Sequence, residues 1–174
     1  MGKAAPRLAP YAVEALAKRH GREGFECGSP ALDRYLQQQA RQDAEKRVAA
    51  PFVLTEPPST TVLGYYTLSA SVVDVSDLPD ALTKKLPRYP QLRVTLLGRL
   101  AVDHRSKGKG IGEFLLMNAL ARCLEATETI AAMAVVVDAK DDAAEAFYRH
   151  FGFGTLQSQP RRLFLPMKTI AELF

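Results

Sequence analysis

The residues best suited to chemistry lie in one stretch, residues 96–125. Its centre is the glycine-rich basic loop at residues 107–112, which reads KGKGIG. An apolar, β-prone run at residues 96–102 precedes the loop, and apolar residues at helical spacing follow it from Glu113 onward. Glycines let the main chain approach a ligand closely, and the start of a helix carries unpaired N–H donors with partial positive charge. The pattern therefore predicts an anion-binding turn for a phosphorylated ligand.

Two well-known phosphate-binding patterns do not match this loop. A P-loop has a Ser or Thr after its glycines and lysine, and no such residue follows here. A dinucleotide-binding fingerprint has a third glycine where Glu113 stands. A tight turn whose lysines are simply solvated remains an alternative at this point.

The loop resembles the [Q/R]-x-x-G-x-[G/A] motif of GNAT-family N-acetyltransferases, which holds the pyrophosphate of acetyl-CoA. Lys107 takes the first position in place of Gln or Arg and keeps both donor and charge; a register that begins at Arg105 also fits, but its distance from Val102 is less favourable. The resemblance implies acetyl-CoA as co-substrate. It implies pyrophosphate binding by Lys107, Gly108, Lys109, Gly110, Ile111 and Gly112, and backbone pairing of the pantetheine arm with Leu100, Ala101 and Val102.

A second GNAT-like motif follows one strand later, where Phe147-Tyr148 and Gly152-Phe153 form the pattern F-Y-x-x-x-G-F. The resemblance implies that Tyr148 is the general acid beside the CoA sulfur. A phenol with a pKa of about 10 is protonated at neutral pH and can donate to a thiolate whose conjugate acid has a pKa of about 8.5. The alternative is an ordinary helix tyrosine that packs on Phe147. No carboxylate or histidine stands out as a general base.

A narrower resemblance extends over nearly the whole chain, to GNAT toxins of type II toxin–antitoxin modules. It is carried by five segments: FECG at residues 25–28, GYYTLS at 64–69, LPRYP at 86–90, LGRLAVD at 97–103 and VDAK at 137–140. It implies acetylation of the α-amine of aminoacyl-tRNA, a block of translation, and neutralisation by a ribbon–helix–helix antitoxin, and it leaves a homodimer open. A GNAT enzyme that acetylates a protein amine or a small-molecule amine is the alternative.

Basic side chains supply the candidate contacts to tRNA phosphates, and the net charge of +4 is consistent with a polyanionic partner. The candidates lie in the segment before the glycine loop and near the C-terminus: Lys84, Lys85, Arg88, Arg93, Arg161 and Arg162. Arg99 lies within a predicted strand, where a structural role is the alternative.

The predicted elements give an α/β fold in one domain over residues 1–174. A helix capped by Ser29 and running to about Arg47 precedes a hairpin of strands at residues 51–55 and 61–73. A strand–helix–strand unit centred on the glycine loop should then be parallel, and a helix capped by Asp141 or Asp142 precedes a last strand at residues 163–165. The GNAT resemblance implies a mixed central sheet with a splayed parallel strand pair and flanking helices.

Composition excludes several other classes of protein. The longest apolar run, residues 130–137, is too short to span a bilayer. Two cysteines do not make a disulfide framework, and three scattered histidines do not have the spacing of metal ligands. We therefore predict a cytoplasmic protein that binds no metal and no membrane.

Overall fold

The computed structural model describes residues 10–174, so the first nine residues of the predicted domain lie outside the described part. Seven strands form one sheet in the order β1-β2-β3-β4-β5-β7-β6. Their bounds are β1 Ala12–Ala15, β2 Ala50–Thr55, β3 Gly64–Asp74, β4 Gln91–Val102, β5 Ala134–Asp138, β6 Gly154–Leu156 and β7 Gln159–Pro166. The α-helices are α1 Pro30–Arg34, α2 Ala40–Glu45, α3 Asp80–Thr83, α4 Ile111–Ala126, α5 Asp142–His150 and α6 Met167–Ala171.

The sheet is mixed, as predicted. Strands β4 and β5 pair in parallel through Thr95–Val135, Leu96–Val136 and Leu97–Val137, and helix α4 connects them. The pairs β1–β2, β2–β3, β5–β7 and β6–β7 are antiparallel. The predicted hairpin and the predicted strand–helix–strand unit are therefore both confirmed.

The chain forms two compact units, each built from two chain segments. The first unit contains residues 10–69 and Gly98–Arg122, and the second contains Ala70–Leu97 and Cys123–Phe174. Strands β3 and β4 contribute residues to both units. That residues 1–174 act as a single domain stays a prediction.

The core of the first unit lies under the helical segment after Ser29. Ser29 caps α1 by accepting a hydrogen bond from the Leu32 amide at 3.5 Å, and Pro30 occupies the first helical turn, as predicted. A π-helical turn, Tyr35–Gln39, connects α1 to α2 and buries two of its residues. These pack with strand residues in a cluster that includes Leu36, Ala40, Val53, Tyr65 and Ala101.

The second unit has its own core, formed by Val73, Leu78, Val94, Ala134, Val136, Leu156 and Phe164. Asp141 caps α5 by accepting from the Ala144 amide at 2.8 Å, one of the two predicted caps. Apolar residues 131–137 predict a strand, but β5 begins at Ala134 rather than at residue 131, and β4 begins at Gln91 rather than at residue 96.

Four short elements have no counterpart among the predictions: β1, α3, β6 and α6. Each has three to five residues, which is too few for a hydrophobic period to be visible. Among residues 10–174 no helix is long and apolar enough to cross a membrane, and their His, Cys, Asp and Glu side chains form no group of three that could hold a metal ion.

Candidate active site

The glycine loop runs directly into α4 in the first unit. Gly108 and Gly110 have φ values of +79° and +76°, and no atom lies within 4 Å of the position that a Cβ would take at either residue. Positive φ strains any L side chain, so the conformation requires glycine, and the open space leaves room for a ligand. The helix begins at Ile111, two residues earlier than the predicted Glu113, so its unpaired first-turn N–H groups lie at the loop itself.

The two lysines of the loop differ in their surroundings. Lys107 Nζ donates a hydrogen bond to the Cys27 carbonyl oxygen at 2.8 Å, so its ammonium group ties the loop to the N-terminal segment. Lys109 is exposed, and it makes no hydrogen bond or ion pair with any residue in the described range. Lys109 is therefore the lysine whose charge is available to an anion.

The side chain of Arg105, the first residue of the alternative register, is paired with the carboxylate of Asp103. The fully buried Asp103 carboxylate accepts from Arg105 Nε at 2.9 Å, Arg105 Nη2 at 3.2 Å and the Arg105 amide at 2.9 Å, and also from the Glu26 amide at 3.1 Å. Burial raises the pKa of Asp103, but these hydrogen bonds outweigh it and hold the pKa at about 2. Arg105 is thus held by Asp103 and Lys107 by the Cys27 carbonyl oxygen, so the register that begins at Lys107 stays a prediction.

Residues 26–28 form a brace between α1 and the glycine loop. The Glu26 carbonyl oxygen accepts from the His104 amide at 2.8 Å and from His104 Nδ1 at 2.9 Å. On the other side, the Cys27 amide donates to Asp33 Oδ1 at 2.9 Å, in the first turn of α1. The sequence of this FECG segment indicates a family resemblance but predicts no positioning role. Its positioning role depends on contacts about 80 residues apart in the chain, for which a single sequence gives no signal.

The end of β4 carries the segment predicted to pair with the pantetheine arm. Ala101 is buried, and Leu100 and Val102 are half-buried. A Cβ at Gly64 on β3 would lie 2.8 Å from Leu115 Cδ1 and 3.2 Å from the Ala101 carbonyl oxygen. Glycine at position 64 therefore lets β3 approach both the Ala101 carbonyl and α4.

Tyr148 lies on α5 in the second unit, and its ring is buried between two phenylalanines. The ring centroids of Phe147 and Phe153 lie 5.3 Å and 5.4 Å from it, both edge-to-face. Its hydroxyl makes no hydrogen bond to any of residues 10–174, and burial raises the pKa of the phenol. The ring of Tyr148 thus packs on Phe147, as the alternative interpretation predicts. Its hydroxyl is protonated and available as a hydrogen-bond donor.

The six candidate tRNA contacts, all in the second unit, fall into two groups. Lys84, Lys85, Arg88 and Arg93 are exposed and have no carboxylate partner among the described residues. The other two are ion-paired: Arg161 contacts Asp142 at 2.6 Å and Glu145 at 3.3 Å, and Arg162 Nε contacts Asp138 at 2.7 Å. The first group therefore has free charge, and the second is largely neutralised.

The helical spacing of apolar residues after Glu113 predicts Asn118 on the polar face of α4, but the structure places it in a buried polar network of the first unit. Asn118 is buried, and its Oδ1 accepts from the Tyr66 hydroxyl at 2.6 Å. Arg122 Nε donates to the same hydroxyl at 3.0 Å, and its guanidinium lies 4.0 Å from the centre of the Phe52 ring. The sequence signal for this network is that Asn118 lies one turn from Arg122 on a mostly apolar helix.

Comparison with known proteins identifies the family of the chain. Residues 91–169 match the acetyltransferase (GNAT) domain family. A tRNA-acetylating toxin from Mycobacterium tuberculosis (strain H37Rv) is 36% identical over 149 residues, which cover 86% of this chain and 87% of that protein. The chain belongs to the GNAT acetyltransferase toxins. A probable toxin TacT from Sinorhizobium fredii is 29% identical over 162 residues, 89% of this chain and 90% of that protein.

Solved structures of GNAT toxins have the same fold. A tyrosine-to-phenylalanine mutant of KacT has a TM-score of 0.90 at 30% identity, covering 95% of this chain and 99% of that chain. AtaT complexed with acetyl-methionyl-tRNAfMet has a TM-score of 0.88 at 29% identity, covering 94% and 99%. A tyrosine-to-phenylalanine mutant of AtaT, bound to the C-terminus of the antitoxin AtaR and to acetyl-CoA, has a TM-score of 0.80 at 25% identity, covering 95% and 98%. The predicted GNAT fold and acetyltransferase class are confirmed.

Proposed function

We propose that this protein transfers an acetyl group from acetyl-CoA to the α-amine of aminoacyl-tRNA and so blocks translation. The observation that carries the proposal is the 36% identity, over 86% of the chain, to a protein named as a tRNA-acetylating toxin. The structure of AtaT with acetyl-methionyl-tRNAfMet, which covers 94% of the chain, supports the same acceptor.

The first unit contains the residues that would hold the donor. The amides at the start of α4 and the Lys109 ammonium bind the pyrophosphate, while Lys107 holds the loop in place through Cys27. The open space beside Gly108 and Gly110 is compatible with a phosphate close to the main chain. Main-chain groups of Leu100, Ala101 and Val102 pair with the pantetheine arm. Once bound, acetyl-CoA supplies an acetyl group activated as a thioester.

Tyr148 supplies the proton for the leaving group. Burial of the side chain raises the pKa of the Tyr148 hydroxyl, which is therefore protonated at neutral pH; it has no protein acceptor among residues 10–174, so it donates to the CoA sulfur as the thioester bond breaks. The attacking amine enters neutral and releases its proton to solvent. The α-amine of an aminoacyl ester is less basic than lysine, so no protein base is assigned.

The four unpaired cations Lys84, Lys85, Arg88 and Arg93 bind phosphates of the tRNA. Their charges are free of carboxylate partners in the described structure, whereas Arg161 and Arg162 would first have to leave theirs. We accordingly assign the two C-terminal arginines a weaker share of tRNA binding.

The partner protein is an antitoxin, as in the AtaT complex with AtaR. We propose that this antitoxin is of the ribbon–helix–helix type, that the protein acts in the cytoplasm, where charged tRNA is found, and that its active form is a homodimer. A short ribbon–helix–helix reading frame beside the gene would support the partner. A monomer by light scattering under assay conditions would contradict the dimer.

A labelling experiment tests the main proposal. The purified protein and radiolabelled acetyl-CoA are incubated in three parallel reactions, which contain charged tRNA, uncharged tRNA or a cell protein extract. We expect label in aminoacyl-tRNA only, released by mild alkali as the N-acetyl amino acid. Label confined to protein or to small amines would instead support the alternative GNAT activity.

A further inference from the structure

The guanidinium of Arg99 lies over an aromatic stack in the first unit. Its guanidinium carbon lies 3.5 Å from the centre of the Tyr35 ring, which stacks on Tyr65 at 6.3 Å with a 16° angle between the planes. Both phenols are anchored: Tyr35 donates to Asp43 Oδ2 and Tyr65 to the Leu32 carbonyl oxygen, each at 2.8 Å. The anchored stack therefore restricts where the guanidinium group can lie.

Arg99 is half-buried, and its guanidinium has no hydrogen bond and no ion pair with any residue from 10 to 174. The oxygens of the nearby Asp43 are already engaged: Gln39 and Tyr35 donate to them, and these hydrogen bonds, with the charge of Arg99, lower the pKa of the carboxyl group. A cation that is partly withdrawn from water gains most from an anionic partner, and the planar fork of arginine matches two oxygens of a phosphate. Arg99 has the properties of a preorganised receptor for phosphate.

Arg122 provides the contrast within the same unit. It also lies over an aromatic ring, that of Phe52 at 4.0 Å, but it donates to the Tyr66 hydroxyl at 3.0 Å and so belongs to the buried network with Asn118. Stacking on a ring is therefore common to both arginines, whereas the absence of an internal hydrogen-bond acceptor among the described residues distinguishes Arg99.

The position of Arg99 along β4 indicates which phosphate it would take. The residue directly precedes the segment of Leu100, Ala101 and Val102, which is assigned to the pantetheine arm, and the loop assigned to the donor pyrophosphate follows that segment. Arg99 therefore stands at the end of the segment away from the donor phosphates. We propose that Arg99 binds a phosphate oxygen at the acceptor end of aminoacyl-tRNA and so positions the α-amine; this rests on the proposed function.

The test compares an acceptor that has phosphates with one that has none. Wild type, Arg99→Gln, Arg99→Lys and the matched control Arg122→Gln are assayed with aminoacyl-tRNA and with the same amino acid esterified to adenosine. For Arg99→Gln we expect kcat/KM to fall about 10- to 100-fold with the tRNA, the loss typical of a hydrogen bond to a charged group, and to stay within about twofold with the ester. Arg99→Lys should restore only part of the loss, because a lysine lacks the planar fork. Arg122→Gln should lower Tm without favouring either acceptor.

Three results would overturn the assignment of Arg99. An equal loss of kcat/KM with both acceptors would indicate a structural role, and unchanged kinetics with both would indicate no role. A raised KM for acetyl-CoA in Arg99→Gln would place the phosphate on the donor. These results leave the proposed function standing, since wild type still acetylates charged tRNA. A wild-type protein inactive on charged tRNA would instead overturn both proposals.

Discussion

A phenol surrounded by aromatic rings holds its proton more tightly than a phenol in water. Tyr148 is in this situation between Phe147 and Phe153, where burial raises its pKa. The rings orient the hydroxyl and keep it protonated, so the packing of Tyr148 would also serve the acid role that we propose for it.

For Tyr148→Phe we expect acetyl transfer to fall about 100-fold or more, the usual range for loss of a general acid, with the Kd for acetyl-CoA nearly unchanged. Because the acid form is the active form and its pKa is raised, wild-type kcat should not decline as pH approaches about 10, the ordinary tyrosine value. Single-turnover rates from pH 6 to 10 check both points, with Tyr11→Phe as the control. Full activity in a folded Tyr148→Phe protein would remove Tyr148 from the mechanism.

Alanine substitutions of the two loop lysines should differ in their effect on Tm. Lys109→Ala removes a free charge, so we expect the Kd for acetyl-CoA to rise about tenfold, the size of one charge-assisted hydrogen bond, without a change in Tm. Lys107→Ala removes the hydrogen bond to the Cys27 carbonyl oxygen, so it should lower Tm as well as affinity. Calorimetric titration with acetyl-CoA and thermal melts measure the two effects. Weaker binding in Lys107→Ala at unchanged Tm would show that Lys107 contacts the ligand instead.

At the scale of elements, β3 can approach the end of β4 and the start of α4 closely because the residue at position 64 is a glycine, which has no Cβ. In Gly64→Ala the new methyl group would meet Leu115 Cδ1 at 2.8 Å and the Ala101 carbonyl oxygen at 3.2 Å. We expect a loss of about 1–3 kcal/mol in the free energy of unfolding, as in other overpacked sites, together with weaker acetyl-CoA binding. Gly24→Ala is the matched control, since no atom lies within 4 Å of its Cβ position. Equal denaturation midpoints for the two variants would contradict this account.

The turn after β4 should show a pH dependence that comes from Asp103. Its folded-state pKa of about 2 lies below the ordinary value of about 4. The carboxylate therefore contributes stability that is fully present above pH 4 and is lost as pH falls through 2. We expect Asp103→Asn to be less stable than wild type at pH 7, and the difference to shrink between pH 4 and pH 2. Urea denaturation at several pH values measures it; a difference that stays constant would exclude Asp103 as its source.

Elements with a clear local signal could be predicted from the sequence, and elements stabilised by distant contacts could not. The glycine loop, the Ser29 cap and the Tyr148 helix each depend on neighbours within a few residues. The brace at residues 26–28 and the aromatic stack under Arg99 join residues far apart in the chain. Periodicity also failed for Asn118, because a buried polar residue with hydrogen-bond partners looks like a surface residue in a sequence.

At the scale of the whole molecule, we expect tRNA binding to depend on which cations are free of ion pairs more than on the total number of cations. Replacing Lys84, Lys85 and Arg88 together by alanine should weaken tRNA binding and reduce the slope of log K against log salt by up to about 0.7–0.9 per lost phosphate contact. The double variant Arg161→Ala/Arg162→Ala should change the slope much less, because those cations are already paired. Filter binding from 50 to 300 mM salt measures both slopes. Equal slopes for the two variants would show that ion pairing does not select the contacts.

The brace at residues 26–28 limits how far this enzyme can be shortened. The segment that matches the acetyltransferase domain begins at residue 91 and includes the glycine loop and Tyr148, but not the carbonyl groups of Glu26 and Cys27 that fix the loop from outside. A chain trimmed to that segment would keep every residue assigned to the donor, but it would lose the two carbonyl groups that hold the glycine loop. We therefore expect the affinity for acetyl-CoA to depend partly on the N-terminal third of the protein, so that substitutions there change this affinity without contacting the ligand.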